Sequence, residues 1–259
     1  MSEFCVIAED FADFQTATHL AERVLLEKID WLERDYLPSQ FSWSGLEENT
    51  EYSRWQDIRQ IIEQFKQRGL SVPRYLGFAK DGPFKADGAA ASTVLNLIRV
   101  LQRKKQREIK AVVLIRDMDT QPERKEGLRQ AREEQADLRI VIGMADPKRE
   151  AWVLNGFEPL NAEEKRLLRE TTEQLKFHPC KESHRLRTTA KTEPERQRNA
   201  KFILEQLTGG DDSRESKCWE KTSLDILLAR GEQTGLSEYL KEVERELIPL
   251  LDNSYKQAK

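Results

Sequence analysis

Two short segments of this sequence are apolar at nearly every position: IKAVVLI at residues 109–115 and LRIVIGM at residues 138–144. A strand with one face in water alternates apolar and polar residues, so runs of this kind predict strands covered on both faces. The run FCVIA at residues 4–8 has the same character. Strands of this type belong to parallel sheets that carry helices on each side.

Segments with helical periodicity lie between these runs. The first has an apolar stripe formed by Ala17, Leu20, Ala21, Val24 and Ile29. Further stripes predict helices over residues 55–65, over 89–105 and after Pro122, whereas PRYLGFA at 73–79 predicts another strand. Residues 33–53 combine Trp43, Gly45 and mixed polar residues, which indicates an irregular excursion over the surface.

The character of the chain changes after Pro147, where strand-like runs end and helical segments follow near 148–156, 161–177, 194–207 and 236–251. We therefore expect an α/β fold in which a mostly parallel sheet is flanked by helices. The expected organisation is an α/β core over residues 1–150 and a helical C-terminal portion over 151–259, packed on that core.

The overall charge excludes strong global attraction to nucleic acid. The chain of 259 residues has 43 basic and 46 acidic side chains, so any such binding has to come from local patches. Three widely spaced cysteines argue against a disulfide framework, and no segment approaches the ~20 apolar residues of a membrane span. We expect a soluble, cytoplasmic protein with no membrane contact.

Acidic residues follow two of the predicted strands. The first strand ends in AEDFAD, with Glu9, Asp10 and Asp13, and the third ends in RDMD, with Asp117 and Asp119. Ligands of open α/β sheets collect at the carboxyl ends of strands, so these acids converge if the two strands are neighbours. Strand alternation predicts that Asp117 and Asp119 project to one side, and Arg116 and Met118 to the other. A cluster of hard oxygen ligands suits Mg²⁺ or Mn²⁺.

Other interpretations of these acids stay open. Acids at strand ends are often solvated turns, and Asp13 also suits the first turn of a helix, where it would stabilise the helix dipole. Haloacid-dehalogenase phosphatases carry a DxDx(T/V) motif on their first strand, but Gln121 occupies the fifth position here. Nucleotide-sugar glycosyltransferases also use a DxD motif. Neither family accounts for Glu9.

The combination of VIAEDFAD with VVLIRDMD resembles the Toprim domain, in which one apolar strand ends in Glu and a later strand ends in DxD. Glu9 and Asp13 match the first motif, and Asp117 and Asp119 match the second. Asp10 stands where that family commonly has Gly. The segments ADPKREAWVLNGF, AKFILEQL and CWEKTSLDILL look like those of the small stand-alone Toprim-like proteins of bacteria, of RloB-like or OLD type.

The resemblance implies a Mg²⁺-dependent nuclease that serves as the effector of an anti-phage defence system. Glu9, Asp117 and Asp119 would be the catalytic residues and metal ligands, with Asp13 and Glu150 as further ligands. The chain contains no GxxxxGK[ST] motif, so ATP-driven control would come from an ABC- or OLD-type ATPase partner. Self-association is also possible. The alternatives are a non-catalytic interaction subunit with a vestigial site, or a Mg²⁺ enzyme acting on small phosphorylated molecules.

Two basic stretches are relevant to a nucleic-acid substrate. RVLQRKKQREIK precedes the third strand and therefore lies at the sheet end opposite the acids, where we expect a solvated face. HRLRTTAKTEPERQRNAK, at residues 184–201, is the better candidate for phosphate contacts. The predicted substrate-binding residues are Lys80, Lys85, Arg185, Arg187, Lys191 and Lys221.

Overall fold

The structure is a computed structural model that describes residues 2–70, 78–80, 82–135 and 137–252. Its strands are β1 (Ser2–Ala8), β2 (Phe41–Ser44), β3 (Ser53–Arg54), β4 (Phe78–Ala79), β5 (Gly82–Pro83), β6 (Ile109–Asp117) and β7 (Arg139–Ala145). Its α-helices are α1 (Phe11–Lys28), α2 (Leu37–Gln40), α3 (Ile58–Gln67), α4 (Gly88–Lys104), α5 (Glu123–Glu133), α6 (Arg149–Asn155), α7 (Ala162–Leu175), α8 (Glu193–Arg196), α9 (Ala200–Thr208), α10 (Asp212–Glu220), α11 (Leu224–Arg230) and α12 (Leu236–Leu251).

The central sheet has the order β2-β1-β6-β7, and β3 pairs with the end of β1 beyond β2. All of these pairs are parallel. The predicted α/β fold with a mostly parallel sheet flanked by helices is therefore confirmed. Since β1 and β6 are direct neighbours, their carboxyl ends lie side by side at one edge of the sheet.

The apolar runs are buried on both faces because successive side chains enter two different cores. Val6, Val113 and Val141 belong to a core that includes α1, α6, α9 and α12. Cys5, Ile7 and their neighbours on β6 and β7 point the other way, into a core that includes α3, α4 and α5. This alternation explains why the sequence of each strand shows no polar face.

The helices after residue 150 share the first of these cores with the sheet. Helix α12 packs on β7 and α1, and the buried Tyr239 hydroxyl donates to the carbonyl of Ala17 at 2.8 Å. On α6, the Trp152 indole donates to the carbonyl of Thr234 at 2.7 Å. The helical C-terminal portion thus packs on the sheet, while the domain division near residue 150 stays a prediction.

Two sequence-based expectations need correction. Residues 33–53 are not wholly irregular, because β2 lies there and forms an edge of the central sheet beside the first half of β1. Within the predicted strand at 73–79, residues 73–77 lie outside the described residues. Phe78 and Ala79 form an antiparallel pair with β5 and do not join the central sheet.

The helix beginning at Phe11 shows how local sequence places the site. Asp10 is its N-cap: the Asp10 carboxylate accepts from the Asp13 N–H at 3.0 Å, and the Asp13 carboxylate accepts from the Asp10 N–H at 3.2 Å. This reciprocal capping satisfies two N–H groups at the helix start. It forces a sharp turn directly after β1, and Glu9 lies in that turn. Across the described ranges, no helix combines the length and apolar character needed to cross a bilayer.

Candidate metal centre

Glu9 and Asp117 meet because β1 and β6 end side by side. Glu9 follows the last residue of β1, and Asp117 is the last residue of β6. A Glu9 carboxylate oxygen accepts a hydrogen bond from the backbone N–H of Asp117 at 3.2 Å. The predicted convergence of these two acids is therefore present in the structure.

Asp119 reaches the same place by a turn. The strand ends at Asp117, and Asp119 and Thr120 both adopt left-handed backbone conformations, with φ of 49° and 63°. The Asp119 N–H donates to the carbonyl of Pro147 at 3.0 Å, which ties this turn to the loop after β7. The expectation that strand alternation aligns Asp117 with Asp119 was therefore wrong in mechanism, although the two acids do converge.

The three carboxylates form a candidate cation site. Glu9, Asp117 and Asp119 each offer an oxygen, and these oxygens lie within 4.8 Å of one another. Ligands of a Mg²⁺ ion bonded at about 2.1 Å are about 3 Å apart when adjacent and about 4.2 Å apart when opposite, so the three side chains have to move closer together to bind one ion. Hard carboxylate oxygens of this kind are the donor set that Mg²⁺ and Mn²⁺ prefer.

Two arginines are interleaved with these acids. Arg116 lies 3.1 Å from Glu9 and 2.8 Å from Asp87, while Arg124 lies 3.1 Å from Asp119 and 3.3 Å from Asp87. Arg124 also donates to the backbone carbonyl of Asp117 at 2.8 Å. Two guanidinium groups therefore share the charges of Glu9, Asp87 and Asp119, which reduces the repulsion among those carboxylates.

A second set of acids lies deeper, and among the described residues none of them is paired with Arg116 or Arg124 except Asp117, through its backbone carbonyl. Asp13, Asp117 and Glu150 are 6%, 9% and 7% exposed. Burial, followed by the charges of Asp13, Glu9 and Glu150, raises the pKa of Asp117 to about 9. Burial, followed by the charge of Asp10, raises the pKa of Asp13 to about 7. Asp117 and Asp13 therefore resist ionisation in the absence of a cation.

Glu150 supports a cation-binding interpretation of this deeper set. Its Oε2 atom is buried without a hydrogen-bond partner among the described residues, and the nearest cation, Lys148, is 4.0 Å away. An unsatisfied buried carboxylate oxygen costs free energy unless something else binds it. The residues present at this edge of the sheet therefore fit a divalent cation, and Asp117 belongs to both sets of acids.

Helix α6 positions Glu150 and also fixes Asp117. The backbone N–H of Arg149, in the first turn of α6, donates to the Asp117 carboxylate at 2.8 Å. The Arg149 side chain turns away, toward Thr16 on α1 and Glu215 on α10, each at 3.3 Å. The other Asp117 carboxylate oxygen can therefore bind a cation while this backbone contact holds the side chain in place.

The predicted substrate-binding residues do not form one surface around this centre. Lys85 lies closest in the chain, two residues before Asp87, and its N–H donates to Gln130 on α5 at 2.9 Å. The Lys80 N–H donates at 3.0 Å to Glu134, the C-cap of the same helix, one turn beyond Gln130. Lys221 is the C-cap of α10, and its N–H donates to the carbonyl of Lys217.

Basic residues of the stretch at 184–201 have glutamate partners close by in the chain. Arg185 pairs with Glu182 at 2.7 Å, and Arg187 pairs with Glu195 at 3.1 Å. The Lys191 N–H donates to the same Glu195 carboxylate. Within the described ranges no ion pair or hydrogen bond joins these three basic residues to the acid cluster, so its role as a phosphate surface stays a prediction.

Sequence reasoning missed three residues at this centre. Asp87 comes from the loop before α4, Arg124 from the first turn of α5, and Trp55 donates its indole N–H to the carbonyl of Ile115 on β6 at 2.7 Å. Arg116 was visible in the RDMD motif but was expected to face away from the acids, whereas it contacts Glu9. A guanidinium is long enough to return to the acid side of the strand end.

Comparisons with known proteins add no assignment. No family model, no curated protein and no solved structure matches this chain. The functional argument therefore depends on the chemistry of the centre itself.

Proposed function

We propose that this protein is a Mg²⁺-dependent nuclease that hydrolyses phosphodiester bonds in DNA or RNA. The observation that supports this best is the meeting of Glu9, Asp117 and Asp119 at the ends of two adjacent parallel strands, with ligand oxygens within 4.8 Å. The resemblance to Toprim motifs concerns these same residues. Asp13 and Glu150 extend the acidic set behind them.

In this proposal Glu9, Asp117 and Asp119 hold the cation, and Asp13 and Glu150 contribute further oxygens. When bound, Mg²⁺ neutralises charge on the phosphate and lowers the pKa of water. A second ion sharing Asp117 would assist the leaving oxygen, and the two buried acids are the side chains available to hold it. Alternatively, Glu9, with 29% of its side chain exposed, would serve as the general acid/base instead of binding the metal.

Arg116 and Arg124 have a role of their own in this scheme. In the absence of a cation they balance Glu9, Asp87 and Asp119. When Glu9 and Asp119 turn to a cation, the guanidinium groups lose part of their pairing and can donate to phosphate oxygens. Charge-assisted donors aimed at a developing phosphate charge stabilise the transition state.

The proposal extends to an effector subunit that works with an ABC- or OLD-type ATPase. It is supported by the resemblance and by the lack of a nucleotide-binding GxxxxGK[ST] motif in this chain. We also retain Mn²⁺ as an alternative ion and self-association as a further possibility.

A second candidate function is a non-catalytic interaction subunit. One observation favours it: Arg124 and Arg116 already form ion pairs with two of the three candidate ligands, Glu9 and Asp119. A vestigial centre would keep such pairs permanently. The same acids would then serve only to hold the loop before α4 against the sheet.

Metal binding and cleavage distinguish these functions. Isothermal titration calorimetry with Mg²⁺ and Mn²⁺ is compared with cleavage of plasmid DNA, linear DNA and tRNA, with and without any ATPase encoded beside this protein. The variants are Asp117→Asn and Asp119→Asn, and Asp30→Asn, an exposed acid elsewhere, is the matched control. We expect metal-dependent cleavage that both site variants abolish. Metal binding without cleavage by any preparation would favour the interaction subunit, and the absence of both would remove the nuclease proposal.

A further inference from the structure

A cleft of about 650 Å³ opens beside the acid cluster, between α3 and the beginning of α4. Its volume lies within the range of roughly 300–1,000 Å³ that is typical of ligand sites. The apolar part of its lining is formed by Trp55, Ile58 and Ile62. Its polar part is provided by Gln56, Arg59, Asp87, Thr93 and Arg116. The Asp87 carboxylate is paired with Arg116 at 2.8 Å, so the cleft combines a flat aromatic side chain with one paired guanidinium group and one that is unpaired among the described residues.

Trp55 is held in place by the strand that carries the candidate ligands. Its indole N–H donates to the carbonyl of Ile115 at 2.7 Å, two residues before Asp117. The guanidinium carbon of Arg116 lies 5.7 Å from the centre of the ring. The ring is thus oriented by a backbone contact, and one of its neighbours is a cation that also lines the cleft.

The two arginines of the cleft differ in their partners. Arg116 contacts Glu9 at 3.1 Å and Asp87 at 2.8 Å, so the cleft and the candidate metal centre share a wall. Arg59 is exposed, and its side chain has no ion pair or hydrogen bond with any other residue that the structure describes. A free cation beside an aromatic ring is the arrangement with which proteins bind phosphate and base together.

We propose that this cleft binds one unpaired nucleotide of a single-stranded substrate, with its base stacked on Trp55 and its phosphate at Arg59. Ala89 and Ala90, in the first turn of α4, line the same cleft, and the first N–H groups of a helix are donors that suit a phosphate. The proposal rests on the proposed function, because it treats the neighbouring phosphodiester as the bond presented to Glu9, Asp117 and Asp119. It names single-stranded DNA or RNA as the substrate class, since a base inside a duplex cannot offer its face to a side chain.

Binding can be measured without any metal. Fluorescence anisotropy with labelled 12-nucleotide single strands of DNA and RNA, and with the corresponding duplexes, is recorded in EDTA over a series of salt concentrations. The cleft variants are Trp55→Ala, Trp55→Phe and Arg59→Ala. The matched controls are Trp31→Ala, an exposed tryptophan, and Lys66→Ala, which removes a cation paired with Glu63 on the same helix as Arg59.

We expect single strands to bind more tightly than duplexes. Loss of base stacking in Trp55→Ala should weaken binding roughly 5- to 140-fold, while Trp55→Phe should keep most of it. Arg59→Ala should weaken binding and lower the slope of log K against log salt by about 0.7, which corresponds to one phosphate contact. The two controls should bind as the wild type does.

The outcomes separate this inference from the nuclease proposal. Binding that depends on Trp55 and Arg59 but is never followed by cleavage would support the cleft and remove the nuclease. Cleavage that persists at the wild-type rate in both cleft variants, with unchanged binding, would overturn the cleft and leave the nuclease. Circular dichroism and thermal unfolding show whether Trp55→Ala is folded. If that variant is unfolded, Arg59→Ala still tests the cleft, because it alters an exposed side chain. Equal binding of single strands and duplexes would also overturn the inference.

Discussion

Replacing Asp117 with Asn tests whether this buried carboxylate destabilises the protein when no cation is bound. Asp117 is 9% exposed, and burial together with the charges of Asp13, Glu9 and Glu150 raises its pKa to about 9. Asparagine keeps the shape and can still accept the N–H of Arg149, now 2.8 Å from the Asp117 carboxylate. The substitution therefore removes the charge and retains the contact that positions the side chain.

The sign of the effect follows from the raised pKa. A carboxyl with a pKa near 3.8 when unfolded and about 9 when folded binds more protons in the folded state. Its contribution to stability is full below pH 3.8 and is lost as the pH rises through about 9. The limiting slope is about 1.4 kcal/mol for each pH unit. The asparagine amide brings two donors that also need partners, which offsets part of the gain. The slope between pH 3.8 and pH 8 allows at most about 6 kcal/mol, and with the cost of the two amide donors subtracted we expect a net gain of about 2 kcal/mol at pH 8. At pH 3.5 the wild-type carboxyl is neutral in both states, so only the cost of the amide remains and the variant should be the less stable protein.

Thermal unfolding with and without Mg²⁺ measures this gain. In EDTA at pH 8, Asp117→Asn should unfold about 4–8 °C above the wild type, because 1 kcal/mol shifts Tm by about 2–4 °C in a chain of this size. In Mg²⁺ at 100 times its Kd, the wild type should gain about 2.7 kcal/mol, and the variant should gain little. An Asp117→Asn protein that is less stable than the wild type at pH 8 in EDTA would refute the reasoning.

Three further predictions concern the surroundings of the site. Arg124→Ala removes a cation that competes with a metal ion for Asp119, so calorimetry should show metal affinity raised severalfold. The cleavage rate of this variant should fall about 100-fold. An unchanged cleavage rate would exclude a role for Arg124 in the reaction. Gly127→Ala places a methyl group 2.1 Å from a backbone carbonyl oxygen of the loop before α4, so urea unfolding should show a loss of stability of about 1–3 kcal/mol. The control is Glu126→Ala, which changes an exposed residue of the same helix and should unfold as the wild type does. Glu242→Gln disturbs a carboxylate that is 4% exposed and accepts the N–H of Ile142 at 2.7 Å, so urea unfolding should show a loss of stability of about 2–4 kcal/mol. A loss of stability below 0.5 kcal/mol would contradict the importance of this contact.

The fold and the meeting of the acids were predictable because their signals are local. Apolar runs such as 109–115 are buried on both faces, which identifies strands of a parallel sheet. Acids placed directly after two such strands must lie near one another when the strands are neighbours. The stripe from Ala17 to Ile29 likewise follows from helical periodicity, and its residues are buried.

The features that could not be predicted depend on distant segments. The edge strand β2 has only four residues, FSWS, and their sequence does not predict a strand. They form one because they pair with β1. Asp87 reaches Arg116 and Arg124 because a close approach to Gly127 seats its loop against α5. Such a contact depends on two glycines, at 88 and 127, that are 39 positions apart. Arg116 contacts Glu9 because its long side chain returns to the acid side of the strand end.

The division of the acids into two sets shows where a cation gains most. Glu9, Asp87 and Asp119 already share two guanidinium groups, so a metal ion that binds them has to replace existing ion pairs. Among the described residues, the carboxylates of Asp117 and Glu150 are buried without a guanidinium partner, so a cation that binds them does not have to displace an arginine. Occupancy should therefore begin at the buried acids. The arginines are then released toward the open side, where a substrate phosphate would approach.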